Sequence, residues 1–159
     1  MSKTESYVSL MIDSLDKKLQ VLRVIDELNE CQQEMLQTAD MDMDDFEDNV
    51  QQKSAQIELL AELDSGFTSL YNRVKEALDT DRKSYGKEIE LMKKYIREIT
   101  DFSVKIEADE KRNQILADQK FNTLKQEIKE AKRSTQTASK YYKSMSRVED
   151  EPQFFDTKH

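Results

Sequence analysis

The stretch FEDNVQQKSAQIELLAELDSGFTSLYNRVKEAL, residues 46–78, decides the fold. Its positions 46, 50, 53, 57, 60, 64, 67, 71, 74 and 78 step by fours and threes without a break. They read Phe, Val, Lys, Ile, Leu, Asp, Phe, Tyr, Val and Leu. A helix returns to the same side every 3.6 residues, so this is the a/d seam of a helix packed lengthwise on another. Lys53 and Asp64 are its polar exceptions. Leu59, Leu63 and Leu70 widen the stripe, which predicts that the helix touches two partners. Gly66 costs roughly 1 kcal/mol of helix propensity, and close packing of a neighbouring helix is the expected reason for it.

Before this stretch lies a second pattern. Val8, Met11/Ile12, Leu15, Leu19, Leu22, Ile25, Leu28, Cys31 and Met35/Leu36 mark one buried face of a helix from about residue 5 to 38. Several steps of three after Leu22 make that stripe drift around the helix, and they place Cys31 in the core as a small apolar residue. Between the two helices runs Asp40-Met-Asp-Met-Asp-Asp-Phe-Glu-Asp48. Asp40, Asp42 and Asp44 have the spacing of calcium-loop ligands, but Asp45 stands where the loop needs Gly, and Gln51 where it needs a bidentate Glu. The run reads instead as the start of a helix covering about 44–79, where acids cap free N–H groups and complement the dipole.

The turn Asp79-Thr-Asp-Arg-Lys-Ser84 offers Thr80, Asp81 and Ser84 as caps for a third helix, expected over about 84–148. Its stripe is Ile89, Met92, Ile96, Ile99, Phe102 and Ile106, then Leu116/Ala117, Phe121, Leu124, Ile128, Ala131, Thr135, Ala138, Tyr142 and Met145. The pattern thins at Glu107–Asn113, which reads as a bend or a solvated turn. Residues 149–159 read as a flexible tail. The fold class is therefore all-α: an elongated antiparallel three-helix bundle or coiled coil, with a long C-terminal helix that overhangs or folds back.

Composition narrows the chemistry. Gly 2 and Pro 1 in 159 residues are too few for strand-and-turn folds or Gly-rich phosphate loops. With one Cys and one His (His159), an internal disulfide, a multi-His metal site and a His-dependent triad are all out of reach. No enzyme, cofactor or metal is expected. There is no apolar run of the ~20 residues that span a bilayer. The opening MSKTESYVSLMIDSL lacks a signal peptide's apolar core, so the expected location is cytoplasmic.

Short connections fold helices two and three back so that residue numbers summing to about 163 face each other. The acidic run then lies beside 115–123, and whatever follows Phe121 projects past the bundle. Charge divides at the same place. Residues 1–80 carry 7 basic and 18 acidic side chains, whereas 120–147 carry 8 and 2. This basic, amphipathic arm is the expected partner-binding surface. Phe121, Leu124, Ile128, Tyr141, Tyr142 and Met145 would supply contact area, and Lys129, Lys132, Arg133, Lys140 and Lys143 would steer an acidic partner. The net charge of −8 argues against nucleic acid.

Three passages carry a resemblance. They are Leu10-Met-Ile-Asp-Ser-Leu-Asp-Lys-Lys-Leu19 through Leu28-Asn-Glu-Cys-Gln-Gln-Glu-Met-Leu36, Lys53-Ser-Ala-Gln-Ile-Glu-Leu-Leu-Ala-Glu-Leu63 with Phe67 and Leu70-Tyr71, and Tyr141-Tyr-Lys-Ser-Met145. In these the chain resembles the flagellar export chaperones of the FlgN and FliT type, which serve type III secretion. The resemblance implies a cytoplasmic export chaperone or adaptor whose amphipathic C-terminal part holds a protein client, a hook-associated or filament-cap subunit, soluble before secretion. The alternative is a structural coiled coil that self-associates as a homodimer, one arm lying beside the other copy's acidic half, with no client.

Overall fold

Ser2 opens the first helix by a reciprocal cap: its hydroxyl accepts from the Glu5 N–H at 3.1 Å, and the Glu5 carboxylate accepts from the Ser2 N–H at 3.3 Å. The computed structural model describes residues 2–134, with side chains through Ala131. Within it the chain forms α1 (Lys3–Gln37), α2 (Met43–Thr80) and α3 (Gly86–Ser134), with no strand among the described residues. The acidic run does start a helix: Asp42 is the N-cap of α2 and accepts from Asp44 N at 2.9 Å and Asp45 N at 3.4 Å. Neither Thr80 nor Asp81 caps α3. Thr80 is the last residue of α2, and the Asp81 N–H closes that helix on Ala77 O. Ser84 donates to the Asp81 carboxylate at 2.8 Å within the turn, and the Tyr85 carbonyl takes the first helical N–H, from Ile89. Residues 135–148, expected to continue α3, and the tail at 149–159 lie outside the described residues.

α1 is the helix that packs lengthwise on two neighbours, and α2, which packs along α1, meets α3 only through side chains. Both α2 and α3 pack along α1, and among the described residues their backbones make no close approach to each other. Antiparallel α2 is pinned by Arg73 to Tyr7 and by Lys18 to Asp64. Parallel α3 is pinned by Tyr95 to Asp16, Lys105 to Asp26 and Lys120 to the Thr38 carbonyl. The expected pairing of α2 with α3 holds across the gap, where Lys53 meets Glu110 and Phe46 meets Phe121. Two apolar clusters result. One gathers Val8, Met11, Leu15, Leu19, Leu22, Val74, Leu78, Met92 and Ile99; the other gathers Leu36, Phe46, Val50, Ala117 and Phe121.

Several expectations are overturned here. The α1 stripe does not drift: its buried face runs Leu22, Ile25, Asn29, Gln32, Leu36, still by threes and fours. Cys31 is therefore exposed, a position short of that face. Ile96 is 46 % exposed, while Tyr95 and Ile99 turn inward. Gly66 is not explained by close packing, because a Cβ there would meet nothing within 4 Å. The thin patch 107–113 is not a bend, since α3 runs through it unbroken, and only its outer side is solvated: Glu107 and Lys111 are exposed while Asp109 and Asn113 are buried. The α2 seam is buried only at its ends: between Lys53 and Val74 no α2 residue is fully covered.

Candidate functional site

The residues that upset the apolar patterns meet at one level of the bundle, between the two apolar clusters. Lys53 of α2 is 7 % exposed, and its ammonium donates to Asn29 Oδ1 at 2.9 Å and Gln32 Oε1 at 3.3 Å on α1. It also lies 2.7 and 2.8 Å from the two Glu110 oxygens on α3. Gln32 donates to Asn49 Oδ1 at 3.1 Å, and Asn49 donates to the Leu28 carbonyl at 2.9 Å. Asn113 donates to the Asn29 carbonyl at 2.9 Å. A buried ammonium is tolerable only when its donors are used, and here they are. Among the described residues two buried polar atoms have no hydrogen bond, Asn29 Nδ2 and Glu110 Oε1, the second lying against the Lys53 ammonium.

Beside this layer a charged cluster ties α3 to α1. Lys105 bridges Asp26 and Asp109, and Arg112 reaches Asp109 at 3.0 Å. The Asp109 hydrogen bond, and then the Asp26 one, raise the Lys105 pKa above its ordinary range. Partial burial and then the Asp16 hydrogen bond raise the Tyr95 hydroxyl in the same direction. Among the described residues, no group of three or more His, Cys, Asp or Glu side chains converges in a way that would hold a metal ion.

Because α2 and α3 straddle α1 with no close backbone approach, a trough runs between them with α1 as its floor, crossed by the Lys53–Glu110 pair. Its wider part, about 630 Å³, has Leu22, Ile25 and Gln32 beneath, with Phe46, Val50, Ile57 and Leu60 on one wall and Ile106 and Ala117 on the other. A second part of about 400 Å³ continues it over Leu15 and Lys18, between Leu63 and Phe67 on one side and Ile96 and Val104 on the other. Ile57, Ile96 and Val104 are 50, 46 and 64 % exposed. From Leu15 to Gln32 the floor is about 25 Å long. That is the length and chemistry of a groove for an amphipathic helix.

Neither a protein-family model, nor a curated protein, nor a solved structure matches this chain.

The expected arm residues divide into four groups. Phe121 is 2 % exposed and meets Phe46 edge-on, ring centroids 6.3 Å apart, so it belongs to the bundle's own core. Leu124 and Ile128 are half-buried and Lys129 is exposed, on the part of α3 that continues past Phe121. Lys132 and Arg133 lie on the last turn of α3. Lys140, Tyr141, Tyr142, Lys143 and Met145 fall outside the described residues. Reading the sequence missed the trough and the polar layer. The signal for both was Lys53 in an otherwise apolar seam, facing by register the thin patch of α3.

Proposed function

We propose that this chain is an export chaperone or adaptor of the flagellar type, cytoplasmic, which holds an amphipathic segment of a protein client on the C-terminal end of α3. One observation carries the reading. Lys120 is level with Thr38, just past the end of α1, and α3 then continues to Ser134, about 20 Å beyond. This projecting part presents Leu124 and Ile128 on one face with Lys125 and Lys129 beside them. A helix that outruns its own bundle while keeping an apolar stripe is suited to cover a partner's stripe. The distant residues Tyr141, Tyr142, Lys143 and Met145 extend the same pattern in sequence.

The test uses purified hook-associated and filament-cap subunits of the source organism and three baits. These are the full chain, the chain stopped after Thr123 so that core Phe121 is kept, and the full chain carrying Tyr142→Asp with Met145→Asp. Binding by the full chain alone is the expected result. Equal binding by all three would place the client elsewhere, and no subunit bound by any bait would end the chaperone reading.

A further inference from the structure

We propose that the trough between α2 and α3 is the seat of the projecting end of α3 from a second copy of this chain, the two copies exchanging arms. The proposal needs no client and stands apart from the export reading.

Three observations point to this occupant. First, the trough is unfinished as a core: Ile57 is 50 % exposed in its wide part, Ile96 and Val104 are 46 and 64 % exposed further along, and its floor is the buried stripe of α1. Second, its charge is acidic. Lys53 and Lys18 are taken up by Glu110 and Asp64, while Glu58 and Asp118 line the wide part with no ion-pair partner among the described residues. A matching helix is therefore amphipathic and basic. Third, the chain has such a helix and aims it away from its own trough. α3 is continuous through Ser134, so Leu124, Ile128 and Lys129 cannot turn back to the trough that begins at Ala117. Between 122 and 134 it carries Lys125, Lys129, Lys132 and Arg133 against Glu127 and Glu130.

Two-fold symmetry brings the arm to the wide part of the trough. An axis near Lys120, level with the end of α1, sets each arm antiparallel to the other copy's α3, pairing residues whose numbers sum to about 240. Residues 122–134 then lie along residues 118–106 of the second copy, so the basic arm passes the stretch lined by Asp118 and Glu58, and Leu124 and Ile128 ride over the wide cleft. The interface is isologous, so one contact made twice closes the assembly.

The experiment is sedimentation equilibrium of the full chain across micromolar concentrations, in low salt and at about 0.5 M, with Ile57→Glu as the test variant. Ile57 lines the wide part and is 50 % exposed, so the variant should fold, and an unchanged urea midpoint verifies that. A dimer is expected whose dissociation constant rises about tenfold or more with the substitution and again with salt. Position is read separately in a Cys31→Ser background. One chain carries Glu58→Cys and another Ser134→Cys, and mixing them should give a 58–134 disulfide between chains. A monomer at every concentration, a dimer indifferent to Ile57→Glu, failure of the mixed disulfide, or closure of that disulfide within a single doubly substituted chain would each overturn the proposal.

Discussion

Lys53→Met tests the polar layer most directly. Methionine keeps the length and apolar stem of lysine but removes all three donors. Asn29 Oδ1, in a residue with 0 % exposure, and Gln32 Oε1, in one with 5 %, then lose the ammonium that satisfies them. Each buried acceptor left unpaired costs about 1–3 kcal/mol. Glu110 also loses its ion pair: its side chain is 36 % exposed, but its Oε1 is buried with no other hydrogen-bond partner. Removing a buried ammonium also removes its own desolvation cost, so the sum settles near 3 kcal/mol. For a chain of this size that lowers Tm by about 6–12 °C. Urea unfolding followed by circular dichroism reads it as a lower midpoint at constant slope. Replacing Asn29, Gln32, Asn49, Lys53 and Asn113 together by leucine should recover most of the loss, since an apolar layer leaves nothing unpaired. A Lys53→Met cost below about 0.5 kcal/mol, the size of a surface substitution, would refute the network.

Three shorter expectations follow from the same geometry. Gly66→Ala should stabilise by about 0.5–1 kcal/mol, because the helix gains propensity and the new methyl meets nothing within 4 Å; a lower urea midpoint would mean that something packs there. Cys31 should react fully with a thiol reagent in the native protein, at the rate of the urea-unfolded chain, since it is exposed; protection would restore the buried reading. Stability should hold from neutral pH to about 9.5 and fall beyond. Both Lys105 and Tyr95 have folded pKa values raised above their ordinary 10.5 and 10.0, so their contributions are complete below those values and lost as pH rises through the folded ones. Lys105→Met should flatten the alkaline limb, and an unchanged limb would assign it to other groups.

What the sequence made legible, and what it hid, turns on polar residues in apolar positions. The existence of the helices and the bounds of α1 and α2 could be read because long runs of threes and fours and the acidic run that holds the Asp42 cap act locally, whereas the caps expected for α3 were not used. The α1 stripe was misread after Ile25 because the eye follows Leu28 and Cys31, while the buried face continues through Asn29 and Gln32. The same rule hid α3 at Asp109 and Asn113. Each looks like a surface residue alone, and only the register that sets Lys53 beside Glu110 shows that three thin patches complete one another. The trough was illegible for a different reason. An a/d seam states that a helix packs, and says nothing of how two seams share a third helix.

That sharing has an energetic consequence for the arm. α1 offers one stripe to two neighbours, so the middle of α2, with Ile57, Leu60 and Phe67, faces an open channel rather than a wall. Covering Ile57 gains about 1 kcal/mol, because it is half uncovered. A symmetric pair doubles this to about 2 kcal/mol, against about 4–15 kcal/mol for association. The arm's own Leu124 and Ile128 and the complementary charges must supply the remainder, which makes the pair weak and salt-sensitive. An arm held weakly is one that a client can take. If the client covers the stripe that the trough covers, the two occupants exclude each other, and the dimer becomes a one-to-one complex as client is added. Light scattering with a saturating purified client subunit should show the mass of one chain plus one client. A complex holding two chains and two clients, with the 58–134 disulfide still forming, would show that arm and client use different faces and would break the link between the two readings.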